Sequence, residues 1–169
     1  TADVLFVTLG LVEAWYDNDL GLYLNCPPMK SLLKEYPTRF SVRVMRHREV
    51  LDYLRRSCAL LDAHCRADMK CVFPVSPVPL MRTFRADTDI TLANAYSKST
   101  LRSAVEEICM ERPNTFYFPS YESITLSNRD RAWENDLVHV TQELVGVNVT
   151  RMIDATTSTE TTEMMDGMM

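Results

Sequence analysis

Three short apolar runs stand out along the chain, and each ends in a different way. Residues 4–8, Val-Leu-Phe-Val-Thr, are almost continuously apolar, as in a parallel strand covered on both faces. Residues 69–75 repeat the pattern and stop at Ser76-Pro77-Val78-Pro79, where proline ends a hydrogen-bonded ladder. Residues 115–118 stop at Pro119 in the same manner. Between these runs apolar residues recur at steps of three and four. From Glu49 to about Arg66, Leu51, Leu54, Cys58, Leu61 and Cys65 fall on one helical stripe. From Thr91 to about Glu111, Leu101, Ala104, Val105 and Ile108 do the same, and Pro113 follows the end. A last amphipathic stretch, residues 141–153, carries Leu144, Val145, Val149 and Met152 and reads as a helix packing back on a sheet. Residues 154–169, rich in Thr, Glu and Met, show no pattern and read as a disordered tail.

Strand, helix, strand, helix, strand is the order of an α/β fold with a parallel sheet. Such sheets take ligands at the carboxyl ends of their strands. Three loops therefore become site candidates: residues 10–17, 76–89 and 120–139. The connection 18–44, with Cys26-Pro27-Pro28, has little periodicity and reads either as part of a lid or as a surface loop.

Composition narrows the picture without deciding it. The 169 residues suit one domain, and 46% hydrophobic with 24% charged residues is ordinary for a folded chain. A net charge of -5 argues against a nucleic-acid partner. Arg39, Arg43, Arg46, His47 and Arg48 do cluster, but Glu49 and Asp52 follow at once, so a solvated helix entrance is favoured over an anion site. The five cysteines form no CxxC pair, the usage of reduced thiols and a cytoplasmic setting. His64 beside Cys65 suggests zinc, yet Cys58 and Cys65 on the apolar stripe favour core packing, and neither a metal nor a cofactor is expected. The run of roughly 18 apolar residues that a membrane helix needs is absent, so no membrane partner is expected. The chain opens at Thr1 directly into an apolar strand, which leads to the expectation that residues precede it.

The sharpest chemical feature is Asp136-Leu-Val-His139. At this spacing a turn can bring carboxylate and imidazole together, so that the acid fixes the tautomer and frees the other nitrogen as a base. A surface Asp-His pair is the plain alternative, and its place after the third strand favours the chemical one. Ser76 ends a strand as a nucleophile would, but Pro77 removes the next backbone donor and disfavours it. Asn94, Ser97 and Lys98 near the start of the second helix read chiefly as capping and solvation, with a site role as the alternative.

Several segments then look familiar together. Phe6-Val-Thr-Leu-Gly-Leu-Val-Glu-Ala-Trp15 resembles the strand and turn of GSCFA-domain proteins, and Val75-Ser-Pro-Val-Pro-Leu80 resembles their strand end. Asn94-Ala-Tyr-Ser-Lys-Ser-Thr-Leu-Arg102 and Tyr117-Phe-Pro-Ser-Tyr-Glu122 are similar to two further blocks. Asp136-Leu-Val-His139 is similar to the terminal Asp-x-x-His of the wider SGNH (GDSL-like) hydrolases. The resemblance implies a flavodoxin-like three-layer α/β/α fold of which residues 1–153 hold the C-terminal three strands. It implies a serine esterase or acyltransferase acting on a small-molecule or saccharide ester, with Asp136 orienting and His139 as base. The serine of the Gly-Ser-Cys-Phe-Ala segment would lie upstream. Many SGNH enzymes place an oxyanion Asn after the third strand, where this chain has Gly10-Leu-Val-Glu13. Gly10, Glu13, Trp15 and Asn94 are then the candidates for the oxyanion and substrate pocket. The rival reading is a non-catalytic binding protein that retains the fold.

Overall fold

The computed structural model describes residues 2–157. In chain order its elements are β1 (Val4–Phe6), β2 (Glu13–Asp17), β3 (Leu22–Tyr23), α1 (Lys30–Glu35), β4 (Phe40–Val44), α2 (His47–His64), β5 (Lys70–Val72), α3 (Ile90–Glu111), β6 (Thr115–Phe116), α4 (Ser120–Thr125), α5 (Arg129–Ala132) and α6 (Gln142–Thr157). They fall into two compact units. One comprises residues 2–9, 66–79 and 114–157, the other Gly10–Cys65 and Leu80–Pro113.

The first unit is built on a parallel sheet of order β1-β5-β6, so the three runs read as strands pair with one another in chain order. The fold is α/β, as the element order predicts. Its central strand is the most buried: Cys71, Val72, Phe73 and Val75 are each at most 3% exposed. That burial accounts for an unbroken apolar run, since both faces of β5 are covered. The similar run at residues 4–8 is only half-buried in β1, contrary to the two-sided cover its sequence suggests. Here β1 is an edge of the sheet, with no strand paired beyond it among the described residues. Beyond the strands proper, Leu9 bridges Val75, and the amide of Ser76 donates to the Leu9 carbonyl at 2.8 Å. Helix α6 packs on α4 and α5. It continues through residues 154–157, four residues into the expected tail, and residues 158–169 lie outside the described residues.

The second unit corrects the sequence reading most. Residues 13–44 were expected as loops and instead form an antiparallel sheet of order β3-β2-β4. Phe40-Ser-Val-Arg-Val44 alternates apolar and polar residues, the period of a half-buried strand, and it pairs with Glu13–Asp17 along its whole length. The basic cluster is divided as a result. Arg43 stands in β4 with its guanidinium over the Tyr16 ring, and Arg39 donates twice to the Asp17 carboxylate, at 2.9 and 2.8 Å. Only Arg46, His47 and Arg48 belong to the helix entrance, where the Glu49 carboxylate reaches back to the Arg46 amide at 2.8 Å.

The two predicted helices pack on each other. Leu51, Leu54 and Cys58 are buried on α2, and Leu101, Ala104, Val105 and Ile108 on α3. Cys65, expected on the same stripe, is instead the exposed C-cap residue, because the helix stops at His64 before the stripe reaches it. Ion pairs Arg55–Glu111 and Arg112–Asp62 tie the two helices.

Candidate active site

The Asp136–His139 turn is fastened at its base by an antiparallel bridge between Trp133 and Val140. Thr141 donates to the Ala132 carbonyl at 3.0 Å, and Glu134 donates to the His139 carbonyl at 2.8 Å. Inside this frame Leu137 donates to the Glu134 carbonyl at 2.9 Å and takes a left-handed φ of 57°, the sole non-glycine positive φ among the described residues. Such a conformation costs a branched L-residue about 1 kcal/mol. It is held because the turn must bring residue 136 back over residues 138 and 139.

Asp136 uses both carboxylate oxygens there. Oδ1 accepts the amides of Val138 and His139 at 3.0 Å each, and Oδ2 meets His139 Nδ1 at 2.5 Å. The His139 amide, followed by its imidazole, holds the Asp136 carboxyl well below the usual carboxylate range. A carboxylate that stays ionised fixes the proton on Nδ1 and leaves Nε2 as the proton acceptor. The His139 side chain is 63% exposed, so Nε2 is open to a reacting group.

His139 lines a cavity of about 540 Å³ whose other walls belong to the same unit. Thr8 follows β1, Pro74 follows β5 and Phe118 follows β6, and all three line it. The cavity therefore lies at the carboxyl ends of the parallel strands, where such sheets bind ligands. Val145, Asn148, Val149 and Met152 close it from one stripe of α6. Asn148 Nδ2 donates to Ser120 Oγ at 2.8 Å, while its Oδ1 is buried without a hydrogen-bond partner. Ser120 opens one end of the predicted 120–139 loop. Asn148 was missed because it reads as one polar residue on an amphipathic helix, and only its unfilled bond distinguishes it.

Gly10, Glu13, Trp15 and Asn94, the other predicted site residues, belong to the second unit, and their groups are engaged there. The Gly10 carbonyl accepts Lys98 Nζ at 2.9 Å. Glu13 accepts the Thr83 hydroxyl at 2.7 Å and the Phe84 amide at 3.2 Å, and Trp15 meets the Phe84 ring edge-on at 5.2 Å. Asn94 Oδ1 accepts the Leu80 amide at 2.8 Å. Lys98 and Ser97, both buried, pin residues 10–12, with Ser97 Oγ accepting the Val12 amide at 2.8 Å. Burial pushes the Lys98 ammonium down to about 8. Ser76 Oγ accepts the Val78 amide at 3.2 Å, a turn contact. Among the described residues no three His, Cys, Asp or Glu side chains gather as metal ligands would, and no helix is long and apolar enough to cross a membrane.

The profile of the GSCFA family matches residues 1–151. No curated protein and no solved structure matches the chain.

Proposed function

The chain belongs to the GSCFA family, and from that membership together with the Asp136–His139 pair we propose a serine-type ester hydrolase or acyltransferase of the SGNH kind. The 2.5 Å contact between His139 Nδ1 and Asp136 Oδ2, beside a cavity at the ligand end of the parallel sheet, carries the reading. A serine outside these 169 residues supplies the nucleophile. His139 Nε2 takes the proton from the serine hydroxyl as its oxygen attacks the ester carbonyl. The imidazolium, stabilised by Asp136, then protonates the departing alcohol and leaves an acyl-serine. Water or an acceptor hydroxyl repeats the sequence, giving its proton to Nε2, and the serine is released. The substrate is an acylated small molecule such as a modified saccharide.

One feature favours a second reading, a non-catalytic binding protein. Val12 stands where the Gly-x-Asn-Asp pattern of many SGNH enzymes has its oxyanion asparagine, and its buried apolar side chain has no hydrogen bond to donate there. The two readings separate in a protein that spans this chain and the serine-bearing segment, assayed on p-nitrophenyl esters. His139→Ala is expected to lower kcat/KM by roughly three orders of magnitude or more with an unchanged melt. Full activity in that variant would remove His139 from the mechanism.

A further inference from the structure

The cavity beside His139 has a composition that bears on which part of the ester enters it. We propose that it receives the acyl group of the substrate, and that this group is a chain substantially longer than acetyl. The inference rests on the hydrolase reading above for the word ester, but its binding arm does not.

At about 540 Å³ the space lies within the roughly 300–1,000 Å³ typical of small-molecule sites, and an acetyl group would leave most of it empty. Its walls are mainly apolar: Phe118 beyond β6, Ile124 from α4, and Val145, Val149 and Met152 from α6. Thr8, Glu134 and Gln142 also line the space, but most of the lining is apolar, and a sugar ring needs a hydrogen-bond partner for nearly every hydroxyl. An alkyl chain needs none. The polar groups that are present suit the head of such a ligand. His139 is the base, and Asn148 carries one amide atom bonded to Ser120 and one buried with no partner.

Octanoate and acetate, titrated calorimetrically into the full-length protein, test the proposal. Each buried methylene is worth up to roughly a factor of four in affinity, so octanoate is expected to bind at least ten-fold more tightly than acetate. Val149→Trp and Val145→Trp fill the cavity from positions that are 43% and 39% exposed, where a larger side chain can be accommodated in the fold. Either variant is expected to weaken octanoate binding at least ten-fold. Each should also lower the ratio of kcat/KM for p-nitrophenyl octanoate over acetate by a similar factor. In the unsubstituted protein, magnetisation transfer from the octanoate methyl to the Met152 methyl gives a readout that no substitution can disturb. Octanoate binding no tighter than acetate, or absent transfer to Met152, overturns the acyl cavity even if His139→Ala abolishes hydrolysis. Tight, Trp-sensitive octanoate binding with no His139-dependent hydrolysis supports the cavity and sinks the hydrolase reading instead.

Discussion

The two units use the same kinds of polar residue in opposite ways. In the antiparallel-sheet unit the polar groups of Asp17, Lys98, Ser97 and Asn94 are engaged. Asp17, 2% exposed, takes two bonds from Arg39 and two from the amides of Asp19 and Leu20. Lys98 reaches the Gly10 carbonyl, Ser97 the Val12 amide, and Asn94 the Leu80 amide. In the parallel-sheet unit His139 and Asn148 are fixed through one of their polar atoms only. His139 Nδ1 meets Asp136 and Asn148 Nδ2 meets Ser120, while Asn148 Oδ1 has no partner. Engaged polarity stabilises a fold, and half-engaged polarity is available to a substrate. Residue type and loop position do not separate the two; the partners that the fold supplies do.

The contrast breaks first at Asp136. If Asp136 serves chemistry, Asp136→Asn lowers kcat/KM on p-nitrophenyl esters by roughly three to four orders of magnitude, since an amide favours the wrong imidazole tautomer. The melting temperature should stay close to wild type, because all three carboxylate contacts are confined to one exposed turn. A loss of stability that accounts for the loss of activity would put Asp136 with the engaged group.

Asp17→Ala is the mirror experiment. It strands a guanidinium and two amides, and the melting temperature is expected to fall by roughly 5 °C or more. With active-site occupancy corrected, kcat/KM should be unaffected. An activity loss without destabilisation would assign Asp17 a role beyond structure.

A smaller effect is expected at Leu137, whose left-handed φ shapes the Asp136–His139 turn. Leu137→Val places a β-branched residue there and costs about 1 kcal/mol, with kcat reduced several-fold. Leu137→Gly removes the steric conflict and should retain kcat. Equal kcat in the two variants would mean that the turn's conformation does not position His139.

The finest test is the pH dependence of stability through Lys98. Burial lowers it from 10.5 to about 8. Between those values the unfolded chain binds more protons than the fold, so the penalty of a buried charge, complete below about 8, is relieved as pH rises. From pH 7.5 to 9 this contributes about 1 kcal/mol, or roughly 2–4 °C in the melting temperature. Lys98→Met should flatten that slope, and an unchanged slope would mean that Lys98 is not the titrating group.

Local pattern carried much of this architecture. The stripe on α3, the apolar run at β5 and its proline stop, and the Asp-x-x-His spacing are all encoded within a few residues. Short-range sterics and hydrophobic period suffice to read them. Phe40-Ser-Val-Arg-Val44 also carried its strand signal, but its partner lies across a connection that has no period of its own. Pairing over such a separation is decided by what each strand buries once the chain has closed the loop. The half-buried β1 follows the same logic, since its cover depends on neighbours rather than on its own residues. The sequence by itself determined the Asp-x-x-His spacing and the apolar stripe of residues 144–152. Tertiary structure alone decided that Glu13 and Asn94 accept hydrogen bonds within their own unit, while Asn148 keeps one bond unmade. Hydrogen-bond satisfaction is a property of a site's whole surroundings, and no single stretch of sequence contains those surroundings.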